Sequence, residues 1–130
     1  MRGGGAPAPR FAPPALDFHA SFLAALREYH SEARHTDLDE ALLSDPAEFA
    51  RYVEALRADV AEPGASVRYA AALCGAEPAS WPDGYVPQTQ LWWVAGDEYL
   101  GRLSIRHRLT PHLLVEGGNI GFDVRPGARR

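Results

Sequence analysis

The chain contains no lysine: all thirteen of its basic residues are arginine. It has one cysteine and one methionine in 130 residues. A single thiol, Cys74, excludes an internal disulfide and fits a reducing, cytoplasmic setting, where it is expected as a small apolar side chain rather than a nucleophile. No uninterrupted apolar run approaches the ~20 residues of a membrane-spanning helix. The N-terminal stretch MRGGGAPAPRFAPPA has an early arginine but no continuous apolar segment, so no secretory signal and no membrane association are expected. The net charge is −4, whereas a wholesale nucleic-acid binder would be basic, so a nucleic-acid partner is not expected either.

What is abundant is alanine, glycine, proline and arginine, the signature of GC-rich codons, so arginine number alone carries little functional weight. Charge placement carries more. Residues 15–62 hold eleven acids against four arginines, a balance of −7, while residues 91–130 hold four acids against six arginines, a balance of +2. The basic end suits one small anionic ligand. The length is enough for one domain, or part of one, with a real core.

Residues 1–14, rich in Gly, Ala and Pro, are expected to be mobile or loosely extended. Asp17 is placed to cap a helix whose apolar positions Phe18, Phe22, Leu26 and Tyr29 form one stripe. Residues 35–44 read as an acidic connector. Asp45, Pro46 and Glu48 then give the strongest start signal in the chain: an N-cap, a proline at the first helical position and a capping-box acid. Phe49, Val53, Leu56 and Val60 continue as one face, and Glu62-Pro63-Gly64 ends it. Val67 to Cys74 is either a short helix or an irregular insertion, and Pro78 to Pro87 is loop.

From Gln90 the period changes to two. Leu91, Trp93 and Ala95 alternate with Trp92 and Val94, so both faces are expected to be covered. Gly96-Asp97 is a hairpin turn, and the return strand places Tyr99, Gly101, Leu103 and Ile105 on one face against Arg102, Ser104 and Arg106. Thr110-Pro111 opens a short helical turn closed by Gly117-Gly118. In the final strand Ile120, Phe122 and Val124 alternate with Gly121, Asp123 and Arg125, predicting one buried face until Pro126 stops the ladder. Helices stacked on a largely antiparallel sheet, an α+β fold, is the expected architecture.

Four pieces in order, Val86-Pro87-Gln88-Thr89, Trp92-Trp93-Val94, Gly101-Arg102-Leu103-Ser104-Ile105-Arg106-His107 and Gly117-Gly118-Asn119-Ile120-Gly121-Phe122-Asp123-Val124-Arg125-Pro126, closely resemble a branch of the GNAT acetyltransferase superfamily. The resemblance implies that the strand ending at Val124-Arg125-Pro126 is the central one, whose free backbone groups pair with the pantetheine arm of acetyl-CoA. It assigns Phe122, Asp123 and Val124 to that arm. Arg129 matches the opening position of the phosphate-cradling Q/R-x-x-G-x-G/A segment and Arg130 the next. The two glycine-type positions do not occur after them, so residues 15–130 look like the N-terminal part of such a domain, very weak or inactive alone. The implied reaction is transfer of an acetyl group from acetyl-CoA to a small-molecule or protein amine.

Other candidates follow from the residues themselves. Asp123 is a candidate general base acting through water, although an acid beside arginines is more commonly an ion pair; Glu116 is an outside candidate. His107 is expected to hydrogen-bond a loop at a strand end. His30 and His35, five apart, lack the spacing of a helical metal pair, and no metal site is expected. The Trp pair offers stacking for a planar ligand or, more simply, core on both faces. The alternative function is a non-catalytic interaction module that associates, with a partner or a second copy, through the exposed final strand.

Overall fold

The computed structural model describes residues 7–77, 84–108 and 120–129. Among them are a four-stranded antiparallel sheet of order β1-β2-β3-β4 and four helices. The strands are β1 (Arg10–Ala12), β2 (Gln88–Ala95), β3 (Glu98–Arg106) and β4 (Ile120–Val124). The helices are α1 (His19–Ser31), α2 (Glu40–Leu43), α3 (Pro46–Ala58) and α4 (Ala65–Leu73). The α+β architecture is that expected.

Helix α1 buries Phe22, Leu26 and Tyr29, and α3 buries Phe49, Tyr52, Val53 and Leu56. Both stripes close on Trp92, which is fully buried and acts as the hub of the core. Phe22 stacks on its indole at 5.2 Å between ring centroids, and Tyr99 meets it edge-on at 5.2 Å. Ring geometries of this kind add roughly 0.5–1.5 kcal/mol each beyond the area they bury.

Several local signals resolve differently from expectation. Arg10–Ala12, within the segment expected to be loose, pairs with Val94–Trp92 as an edge strand. Asp17 lies in a 3-10 turn, and Phe18 rather than Asp17 stands at the N-cap of α1. Asp45 does stand at the N-cap of α3 with Pro46 behind it, but its side chain makes no capping bond. Glu48 accepts instead from Arg51 at 2.6 Å and from the Tyr69 hydroxyl, which ties α3 to α4. The acidic connector contains α2, capped by Asp39 accepting from the Leu42 amide at 3.1 Å. Helix α3 ends at Ala58, so Val60 is exposed rather than core.

The largest difference is a one-residue slip inside the β2–β3 hairpin. Trp93 pairs with Gly101 and Val94 with Tyr99, leaving Leu100 unpaired in a bulge. A bulge reverses the facing of everything beyond it. Tyr99 therefore joins Trp92 and Arg102 on the helix-covered face, while Gly101, Leu103 and Ile105 face the other way. That second face also carries Phe11, Trp93, Ile120 and Phe122. Among the described residues no helix covers it. Ile120 and Phe122, expected to be buried, are 60% and 55% exposed.

Candidate functional site

Because β4 pairs with β3 in the register Asp123 opposite Arg102, Asp123 is turned toward the helices and Phe122 away from them. The chain leaves α1 through a turn in which the Ala33 amide bonds the His30 carbonyl at 3.0 Å and the Arg34 amide bonds the Tyr29 carbonyl at 2.9 Å. This is the Schellman arrangement, with Ala33 (φ 57°) in the left-handed position that glycine ordinarily takes. His35 is also left-handed (φ 54°). The double reversal swings Arg34 and His35 over β4. His35 Nε2 lies 2.6 Å from Asp123 Oδ2, and Arg34 Nη2 lies 3.1 Å from Asp123 Oδ1. His30 donates from Nε2 to the His35 carbonyl at 3.1 Å and holds the turn from behind.

Burial is the main influence on the His35 ring and, with the Arg102 charge, it outweighs the attraction of Asp123, so His35 titrates below its ordinary value. At neutral pH the ring is neutral. Its Nε2–H then donates to Asp123, and Nδ1 carries a lone pair. The Tyr29 ring packs edge-on against His35 at 4.5 Å, and burial raises its phenol to about 12, so it stays protonated. Tyr29 Oη is buried and has no hydrogen-bond partner among the described residues. The arrangement is a carboxylate-oriented imidazole beside an unengaged phenol, a pairing able to accept one proton and donate another.

The residues singled out in the sequence distribute around this centre. Asp123 is in it. Phe122 is on the opposite face, edge-on to Phe11 at 6.5 Å, and Val124 is half-buried opposite Gly101. Arg129 donates from Nη1 to both carboxylate oxygens of Glu32 at 3.0 Å, and from Nε to the Val124 carbonyl at 3.1 Å. Its charge is thus turned to α1. Arg130, Glu116 and the Thr110–Gly118 turn lie outside the described residues. His107 shares a hydrogen bond with Thr89 Oγ1 at 2.7 Å, pinning the end of β3 to β2. Cys74 is exposed, not buried, with Sγ 3.1 Å from the Asp37 carbonyl. Trp92 is core, while Trp93 packs on Phe11 at 4.6 Å. Among the described residues no three His, Cys, Asp or Glu side chains stand together as a metal site, and no helix is long and apolar enough to cross a membrane.

His35, Arg34, Tyr29 and Arg102 are the members that sequence reading missed. Nothing in a sequence ties residue 35 to residue 123, and the glycine that would mark the turn at position 33 is an alanine. Alternation sets Asp123 on the face opposite Ile120, Phe122 and Val124, the residues expected to be buried, and only the strand register pairs it with Arg102 and turns it to the helices.

Two cavities open from this centre between the helices and the sheet. The smaller, about 10 Å³, is lined by Tyr29, His35, Tyr52, Tyr99 and Arg102. The larger, about 180 Å³, shares His35, Tyr52 and Arg102 and continues past Ser104, Gln88 and Arg106. A third, shallow groove of about 570 Å³ runs along the turn after β4, between Glu28, Glu98, Arg125 and Arg129. Comparison of the chain with known protein families, with characterised proteins and with solved structures finds no match.

Proposed function

We propose that this fold serves acetyl transfer from acetyl-CoA to a primary amine, the reaction implied by the resemblance to GNAT acetyltransferases. The observation that carries the reading is the state of β4. It pairs with β3 along one edge, and among the described residues its other edge has no strand beside it. Apart from the Val124 carbonyl, which accepts from Arg129, its outward backbone groups face no strand among the described residues and would pair with an extended ligand such as the pantetheine arm, which carries amide groups of its own. The strand ends at Val124-Arg125-Pro126, and this turn is fixed: the Arg125 amide bonds the Leu100 carbonyl at 2.8 Å, and its guanidinium is held by Glu28. A rigid strand end fixes where a thioester would lie.

The chemistry asked of the protein is small. The amine nitrogen attacks the thioester carbonyl, the C–S bond breaks, the sulfur leaves with a proton, and the nitrogen gives up one. His35 Nδ1 is the acceptor for that proton in this reading, and Asp123 is the positioning residue that fixes the ring through Nε2. Arg129 would have to exchange Glu32 for a phosphate oxygen. With the Arg129 guanidinium held by Glu32, weak affinity is expected of this chain. An NMR titration with acetyl-CoA tests the reading. Shifts at the amides of Gly121 to Val124 and at Arg129 are expected, and an unperturbed β4 at saturating ligand would end the proposal.

A second reading rests on the other face. Phe11, Trp93, Ile120 and Phe122 form a contiguous apolar surface that reaches the open β4 edge, a combination that promotes pairing between copies of a chain. Size-exclusion chromatography distinguishes it: a dimer that dissociates on Phe122→Ser supports association, and a monomer at high concentration removes it.

A further inference from the structure

The larger cavity has a chemistry of its own, independent of whether the chain transfers acetyl groups. Its inner end is the Arg102 guanidinium. Burial disfavours the charge, yet the surrounding Tyr52, Tyr99 and Asp123 more than restore it, and Arg102 stays protonated. The phenols help only when ionised, which does not occur near neutral pH. Asp123 remains as the carboxylate acting on Arg102, and its two oxygens are already engaged by Arg34 and His35. Arg102 is half-buried, and its guanidinium lines the cavity together with Arg106 and one carboxylate, Asp37, so the lining carries two cations against one acid.

The rest of the lining fits an anionic partner. Ser104 and Gly121 form the next cross-strand pair beyond Arg102 and Asp123, and the absence of a side chain at Gly121 leaves the sheet surface open there. Ser104 supplies a hydroxyl, while the Ser66 hydroxyl and the Gln88 amide point their donors at Asp59, at 2.5 and 3.2 Å, and so are already satisfied. In the adjoining small cavity, which has room for about one water, the buried Tyr29 hydroxyl lacks a partner among the described residues. A donor left unsatisfied in this way costs roughly 1–3 kcal/mol, so it is a position a water or a ligand atom is expected to fill.

We propose that the cavity bounded by Arg102, Ser104, His35 and Tyr52 is a binding site for a small organic carboxylate. The carboxylate lies on the planar guanidinium of Arg102, which matches its two oxygens, and the remainder of the molecule extends along Ser104 toward Arg106. The aromatic wall of Tyr52 favours a compact organic acid over a strongly hydrated inorganic ion.

Calorimetric and NMR titrations of the 130-residue chain with acetate, succinate and glutamate test this, with inorganic phosphate and putrescine as comparisons. Saturable binding of at least one carboxylate is expected, with shifts at the Arg102, Ser104 and Gln88 amides and none at Val124 or Arg129, which acetyl-CoA alone would reach. Arg102→Gln is expected to weaken it at least about tenfold, since a hydrogen bond to a charged group is lost. Ser104→Leu, which leaves the charge and fills the space, is expected to abolish it. If Arg102→Gln does not fold, the Ser104→Leu result decides. Absence of carboxylate binding, tighter binding of phosphate or putrescine, or undiminished binding by Ser104→Leu would each overturn the assignment. Because no step uses acetyl-CoA, failure here leaves the acetyl-transfer reading standing, and the reverse also holds.

Discussion

The Arg125 guanidinium closes as a fork on the Glu28 carboxylate, Nη2 to Oε2 at 2.6 Å and Nε to Oε1 at 3.1 Å, across 97 residues of sequence. The same carboxylate accepts from the Gly127 amide at 2.7 Å, and Arg125 also reaches the Tyr99 carbonyl at 3.1 Å. One ion pair therefore ties α1, β3 and the turn after β4 into a single corner. Arg125 is 8% exposed, so breaking the pair strands a largely buried cation. Glu28→Ala is expected to cost about 2 kcal/mol in a urea titration, the scale of hydrogen bonds to charged groups. Arg125→Lys keeps the charge but loses the fork, and is expected to recover less than half of the difference. An unchanged midpoint for both would show the corner to be held by something else.

Gly101 sits where β3 passes under the end of β4. A Cβ there would overlap the Asp123 carbonyl oxygen and approach Val124 Cα to 3.1 Å. Both are backbone atoms and cannot swing aside. Gly101→Ala is expected to destabilise by about 1–3 kcal/mol, as overpacking does. It should also weaken the hydrogen-exchange protection of the β4 amides more than that of β2.

The turn that presents His35 stores strain in Ala33, since an L-residue in the left-handed region costs roughly 1–2 kcal/mol. Ala33→Gly removes that strain and adds some chain entropy to the unfolded state. The net expectation is a gain of about 0.5–1 kcal/mol in thermal or chemical unfolding. A loss of stability would mean that the turn is not left-handed at this residue in solution.

His35 makes stability fall in weak acid. Its folded value lies below its ordinary 6.5, chiefly through burial. Between the two values the unfolded chain binds more protons, so the stabilisation is fully present above the unfolded value and is lost as pH falls through the folded one. Urea midpoints are expected to decline as pH falls below 6.5, and the His35→Gln variant should decline less. Parallel curves for the two proteins would refute the role given to this ring.

The two faces of the sheet should respond oppositely to truncation. Phe49 is fully buried among Phe22, His19 and Trp92, and Phe49→Ala is expected to cost about 3–5 kcal/mol. Phe122 is mostly exposed, and Phe122→Ser is expected to stay within about 0.5 kcal/mol.

The contrast between what was legible in the sequence and what was not follows the range of the interactions concerned. The stripe Phe18, Phe22, Leu26, Tyr29 and the stripe Phe49, Val53, Leu56 both lie in the core, and the Asp45-Pro46 start and the Gly96-Asp97 turn fall where expected. Each depends on residues within a turn or two of one another, so periodicity and turn chemistry determine them. The facing of Tyr99 escaped because a bulge at Leu100 is settled by how β2 and β3 pack, not by either strand's pattern. The exposure of Ile120 and Phe122 escaped because alternation fixes that a strand has an apolar face, but only the neighbouring layers fix whether that face is covered.

The sequence by itself determined helices α1 and α3, the β2–β3 hairpin and the final strand, in that order, within an α+β fold. Tertiary structure decided the site. It brought His35 to Asp123 across 88 residues, turned Arg129 to Glu32 rather than to open solvent, and left Arg102 facing a cavity. Helix and strand periodicity is a property of local backbone geometry, whereas a partner for a buried charge is chosen only when distant segments pack and water is excluded.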